Sequence, residues 1–244
     1  MKKFFDKQPV WFAVIAIVIY VLAFGNADSL SESLGTPKLI TAIVGLVLTA
    51  LLLLFLRKHA LCPYCGLQRR KGLSLACLLP LMALSTVNFW HGFTLHYGVL
   101  VTALYIISMV WVAILEEVIF RGLLFRAMEK EGRTAAIIVS SVTFGVGHIV
   151  NLLLGAEILS TMLQLVEATA LGFCFTALFM VTGSLLPCIL SHAFINCTSV
   201  FAADPSSMGR VLTCVIVTVA AVIYGVWLLK KHPVVLSDAA EQTV

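Results

Sequence analysis

Eight long apolar blocks leave this chain few ways to fold. They run over residues 10–25, 39–56, 72–90, 98–122, 134–154, 158–181, 185–202 and 210–229. A bilayer core of about 30 Å takes about 20 helical residues to cross. Inside it only helices or closed barrels satisfy the backbone hydrogen-bonding groups. Barrel strands alternate apolar and polar residues, whereas these blocks are continuous, so each predicts a helix. The breaks agree: Gly25-Asn26, Gly35-Thr36-Pro37, Gly92, Gly155, Gly183-Ser184 and Asp204-Pro205 fall between blocks. Gln164 and Glu167 make the block at 158–181 the most interrupted. The expected fold is all-α, a polytopic membrane protein with a bundle of about eight transmembrane helices.

Composition removes the competing classes. The chain of 244 residues is 61% hydrophobic and 11% charged, against about a quarter charged in soluble domains. A polar coat cannot be made from so few charges. Nucleic-acid binding, which needs clustered basic residues on such a coat, drops out with it.

The basic residues predict orientation. With a cytosolic N-terminus and alternating spans, fourteen of the sixteen Lys and Arg lie on or toward the cytosolic side. Only Lys38 and Arg210 lie outside. Both termini are therefore expected in the cytosol. Lys2-Lys3, an apolar stretch and the small residues Gly25 and Ala27 also fit a signal peptide, but no persuasive cleavage site follows. Without a long linker or strong repeat, the chain reads as one structural domain. Its parts are an N-terminal portion (1–97), a core (98–202) and a last span with its tail (203–244).

Seven cysteines, five of them in apolar blocks, argue against a disulfide framework. Cys62-Pro63-Tyr64-Cys65 stands in the basic loop 57–71 and has a redox-motif spacing without the βαβ pattern that would support it. With His59 it offers three zinc ligands where a structural site wants four. A loop with two reduced thiols is the simpler reading. Arg69-Arg70-Lys71 suit contact with anionic lipid.

Ionisable residues inside spans are expensive and mark function. Here they are Glu116, Glu117, Arg121, His148, Glu167 and His192, with Asn151 and Asn196 as polar companions. Glu117 and Arg121 stand at i and i+4 on one helix face, in the favourable order for an ion pair. Glu116 is rotated by about 100° toward a different neighbour. His192 and Asn196 repeat the i, i+4 spacing, as do Phe144 and His148. Gln164 and Glu167 read as structural hydrogen-bonding groups. Counted from the flanking residues, Glu116 lies about 15 Å deep, His148 about 22 Å and His192 about 12 Å. Three helices thus bring polar groups to one layer, biased toward the cytosol. A carboxylate, two imidazoles and an amide can activate water and stabilise an oxyanion.

The strings Glu116-Glu117-Val118-Ile119-Phe120-Arg121, Phe144-Gly145-Val146-Gly147-His148 and His192-Ala193-Phe194-Ile195-Asn196 resemble three motifs, EExxxR, FxxxH and HxxxN. These mark the CPBP family of CAAX proteases and bacteriocin-processing proteins, also called the Abi family. Thr182-Gly183-Ser184-Leu185-Leu186-Pro187 is similar to the family too. The match covers roughly residues 98–202, and the first 97 residues show nothing of it. The resemblance implies an intramembrane endopeptidase in which Glu116 and His148 activate water. His192 and Asn196 would form the oxyanion hole, and Glu117 with Arg121 would hold the first motif in place. Phe144 would pack rather than react.

The resemblance leaves the metal open. Glu116, His148 and His192 could bind Zn²⁺ with one position free, and the family has been labelled metalloprotease. The HExxH arrangement is lacking, and the resemblance equally supports a glutamate-type mechanism without metal, which the reading prefers. The implied partners are the lipid bilayer and a membrane-associated protein or peptide: a lipidated C-terminus, a leader peptide or a signalling peptide. The implied location is a bacterial plasma membrane, with the site opening toward the cytosol. The competing readings are a non-catalytic scaffold or immunity protein of the same family, and a proton or ion pathway. For a transporter the repeated halves with broken helices are missing.

Overall fold

The structure is a computed structural model that describes residues 1–68, 73–153 and 155–236. Arg69-Arg70-Lys71 fall outside the described residues. Among those described, nine helices follow one another: α1 (Lys2–Lys7), α2 (Pro9–Ser33), α3 (Leu39–Lys58), α4 (Leu75–Ser85), α5 (Val99–Glu129), α6 (Arg133–Leu153), α7 (Ile158–Thr182), α8 (Leu186–Phe201) and α9 (Ser207–Lys231). The protein is all-helical and multi-pass. Six helices, α2, α3, α5, α6, α7 and α9, are long and apolar enough to cross a membrane. The other two expected spans are shorter. α4 begins only where Ser74 caps the Cys77 N–H and carries Pro80 inside it. At 11 residues it spans about 16 Å, half a bilayer core.

Local chemistry moves several boundaries from their expected places. α2 does not stop at Gly25-Asn26 but continues to Ser33. Asn26, Ser29 and Ser31 turn their side chains back onto the carbonyls of Leu22, Gly25 and Ala27, so these polar residues sit in the helix without competing for its ladder. α3 and α9 end on Arg57-Lys58 and Lys230-Lys231, cations that complement the negative end of the helix dipole. α7, the block interrupted by Gln164 and Glu167, is the most buried of the long helices and packs between α6 and α9. Its crossing with α6 is close because Gly145 carries no side chain. A Cβ there would meet Thr169 Oγ1 and lie 2.7 Å from the Leu165 carbonyl. Small residues at such crossings are how membrane helices approach one another.

Contacts define two ends of the bundle. At one, the segment 61–68 is fastened to α5, α7 and α8. Leu185 N–H donates to Gly66 C=O at 2.9 Å, Ser184 Oγ to Gln68 C=O at 3.4 Å, and Arg126 Nε to Tyr64 C=O at 3.2 Å. The tail closes over the same end through Val235 N–H to Met180 C=O at 3.0 Å. Lys58, Arg126, Lys130, Arg133 and Lys230 lie at or near this basic end. At the other end Lys38 pairs with Asp28 at 2.9 Å and His91 meets Thr213 Oγ1 at 2.7 Å. There Thr94 N–H donates to Phe201 C=O at 2.9 Å and Arg210 pairs with Glu157 at 3.5 Å.

Candidate active site

The site starts from an irregularity in α5. Its regular α-turns end at Glu117, and Val118–Phe125 is wound as a π-helix before α-geometry resumes at Arg126. Such segments are rare and gather at functional sites. Arg121 lies within it, and its Nη1 donates to Glu117 Oε1 at 3.1 Å, both side chains being fully buried. The guanidinium carbon stands 4.2 Å from the Phe144 ring centroid and 5.7 Å from that of Phe175, a cation against two aromatic faces. Gly172 admits it to α7, since a Cβ there would lie 3.2 Å from Arg121 Nη2. The i, i+4 ion pair is thus present, and Phe144 packs.

Glu116 and Glu117 are not separated as fully as the helix rotation suggests. Both reach His192 on α8: Glu117 Oε1 lies 2.9 Å from its Nδ1 and Glu116 Oε2 3.4 Å from its Nε2. The two contacts are hydrogen bonds together only in the doubly protonated ring, because ionised carboxylates accept and do not donate. Phe144 meets the ring edge-on at 5.6 Å and Phe175 stacks on it at 5.8 Å.

Glu116 has a further partner that sequence reasoning missed. The Tyr20 hydroxyl on α2 donates to its Oε1 at 2.6 Å. Tyr20 gives only a faint signal in the sequence, as a phenol in an otherwise apolar span, where a polar tip needs a partner.

His148 and Asn196 complete the set. At Gly147–Ile149, α6 tightens into a 3₁₀ turn. His148 Nδ1 there contacts the Phe144 carbonyl oxygen at 3.1 Å, which leaves Nε2 available. Glu116, His148, His192 and Asn196 all line one cavity of about 530 Å³. Asn151 donates to Gln164 at 2.9 Å, the structural bond expected for that glutamine. Glu167 lines the cavity instead and has no hydrogen-bond partner among the described residues.

The cavity is lined by Glu116, Phe120, Phe175 and His192, and also by Lys38, His91, Pro205 and Arg210. Those last residues belong to the end remote from the basic loops. Among the described residues, none of the segments 61–68 and 232–236 lines it.

The donors do not fit a metal. Among the described residues no three His, Cys, Asp or Glu side chains are grouped to hold an ion. The Glu116, His148 and His192 set is therefore not assembled as ligands, and both nitrogens of His192 face carboxylates. Cys62, Cys65 and His59 form no site either. Cys65 is fully buried, and burial first, then the neighbouring Cys62, pushes its thiol up to about 12. A thiol so held is inert rather than redox-active.

The arrangement defines a class: a multi-pass membrane protein in which a buried carboxylate, Glu116, and two imidazoles, His148 and His192, line one cavity from separate helices. The segment that builds most of it is more specific. Residues 98–198 match the family of type II CAAX prenyl endopeptidases, Rce1-like, in agreement with the three motifs, all of whose polar residues they contain. No curated protein and no solved structure matches the chain. The matched family is one of proteases, and Tyr20 lies outside the matched residues.

Proposed function

We propose that this protein is an intramembrane endopeptidase that hydrolyses a peptide bond in a membrane-associated or lipidated protein or peptide. The observation that carries the reading is the meeting of Glu116, His148, His192 and Asn196 on one cavity within the matched segment. Glu116, with His148, takes a proton from water, and the oxygen adds to the scissile carbonyl carbon. His192 and Asn196 donate to the oxyanion. The tetrahedral adduct collapses as the proton passes to the leaving amine, yielding a carboxylate and a new N-terminus. Glu117 and Arg121 hold His192 and the first motif in register. The donor geometry favours the glutamate-type route over a metal. CAAX-type and leader-type processing are the two substrate readings the family brings.

Glu116→Gln and His148→Ala are expected to abolish cleavage while the protein stays folded in the membrane. Comparing peptide termini between wild-type cells and a Glu116→Gln strain identifies the substrate. Unchanged termini with folded protein present would overturn catalysis and leave a scaffold role.

A further inference from the structure

Glu167 is a carboxylate of the cavity that the proposed mechanism does not use, and ionisable groups inside a membrane span are costly and mark function. Among the described residues, the acids that line the cavity are Asp28, Glu116 and Glu167. Asp28 accepts from Lys38 Nζ at 2.9 Å and from Thr41 Oγ1 at 2.5 Å. Glu116 accepts from Tyr20 and faces His192. Glu167 has neither a hydrogen bond nor an ion pair among the described residues. The cavity offers it no spare Lys or Arg, since Lys38 is held by Asp28 and Arg210 by Glu157 at 3.5 Å. Polar groups close to it are engaged as well. Gln164 accepts from Asn151 at 2.9 Å, and the Cys214 thiol on α9 donates to the Leu163 carbonyl at 3.6 Å.

The packing of α7 sets the height at which that carboxylate stands. Gly145 of α6 crosses α7 between Leu165 and Thr169, level with Glu167. His148 follows on α6 before the Asn151–Gln164 contact, so it lies within about one turn, roughly 5.4 Å, of Glu167 along the bundle. Phe175, which stacks on His192 at 5.8 Å, lies about 12 Å further along α7. An extended peptide advances about 3.3 Å per residue. A substrate whose scissile carbonyl sits between the two imidazoles therefore passes Glu167 within about four residues of the cut. We propose that Glu167 is a specificity-determining residue that pairs with a basic side chain, Lys or Arg, on the substrate within about four residues of the scissile bond. This rests on the peptidase reading above and narrows its substrate class. The pair supplies Glu167 with the counter-charge that its own chain withholds. A neutral or acidic side chain at the same place leaves the carboxylate unpaired and is selected against.

The test uses the full-length protein. Peptide termini lost in a Glu116→Gln strain should carry Lys or Arg within that distance of the cut. Peptides copying those termini are then made with Lys, Gln or Glu at the basic position and given to purified wild-type, Glu167→Gln and Glu167→Lys protein. Wild type should prefer the Lys peptide over the Gln peptide by roughly ten- to a hundredfold in kcat/KM, the worth of a hydrogen bond to a charged group, with most of the difference in KM. Glu167→Gln should bring that ratio close to one. Glu167→Lys should turn the preference toward the Glu peptide, a gain that damage to the fold cannot produce. Lost termini without a basic residue near the cut, or the same Lys-to-Gln ratio in wild type and Glu167→Gln, would overturn this inference and leave the peptidase reading standing. If no terminus changes in the Glu116→Gln strain, the peptidase reading falls and the pairing falls with it.

Discussion

The hydroxyl of Tyr20 and the carboxylate of Glu116 meet at 2.6 Å although 96 positions separate them in the chain. The contact joins α2, outside the family match, to the first motif, and it holds Oε1 of the carboxylate while Oε2 faces His192. A hydrogen bond to a charged group is worth about 1.5–3 kcal/mol, which corresponds to roughly ten- to a hundredfold in rate if it is needed at the transition state. Tyr20→Phe is therefore expected to lower kcat by that order, with KM and thermal stability little changed. Equal loss of stability and activity would mark the contact as structural instead.

Arg121 and Glu117 are both fully buried, so removing one leaves the other without its counter-charge. Breaking a buried pair costs about 3–5 kcal/mol. Arg121→Met should lower the unfolding temperature in detergent more than any other substitution named here. Adding Glu117→Gln should restore part of the loss. A double variant no more stable than Arg121→Met would show that the packing of the guanidinium between Phe144 and Phe175 matters more than its charge.

Cys65 gives a prediction in pH. Its thiol is pushed from 9.0 to about 12 in the folded protein, so the folded state holds the proton more tightly than the unfolded chain does. Its contribution to stability is complete below about 9 and declines as pH rises toward about 12. Cys65 should resist alkylation at pH 8 until the protein is denatured, whereas the partly exposed Cys62 should react in the native state. Rapid native alkylation of Cys65 would mean that the segment 61–68 opens readily.

Metal removal should leave activity unchanged. Both nitrogens of His192 already face carboxylates, and no three ligand side chains are grouped among the described residues. Purified protein treated with a chelator is expected to cleave at its original rate and to hold no stoichiometric zinc. Loss of both together would require His192 to turn away from Glu117.

The helix periods and the motif residues were readable because spacing alone puts Glu117 with Arg121, and His192 with Asn196, on shared faces. Membrane chemistry made them conspicuous, since few other charges lie inside the bundle. Three features were not readable in this way. Tyr20 reaches Glu116 through tertiary packing that no local pattern encodes. The length of α2 depends on Asn26, Ser29 and Ser31 bonding to their own helix, where the same residue types also signal a turn. The seat of the segment 61–68 on α5 and α7 depends on how its turns pack, and its Cys-Pro-Tyr-Cys string suggests chemistry while its structural part is to fill space.

The π-helical stretch Val118–Phe125 has a consequence for how α5 tolerates change. A bilayer responds to the length of a helix, but a site responds to its angle. Inserting one further residue into this stretch would lengthen the span by at most about 1.5 Å, while turning the two halves by roughly 100° relative to each other. Arg126 could then no longer face Tyr64 while Glu116 faces Tyr20. Such a variant is expected to insert at the wild-type level and to cleave nothing, so insertion and cleavage assays on the same membranes would part company. Retained cleavage would show that the stretch can rewind without moving the site.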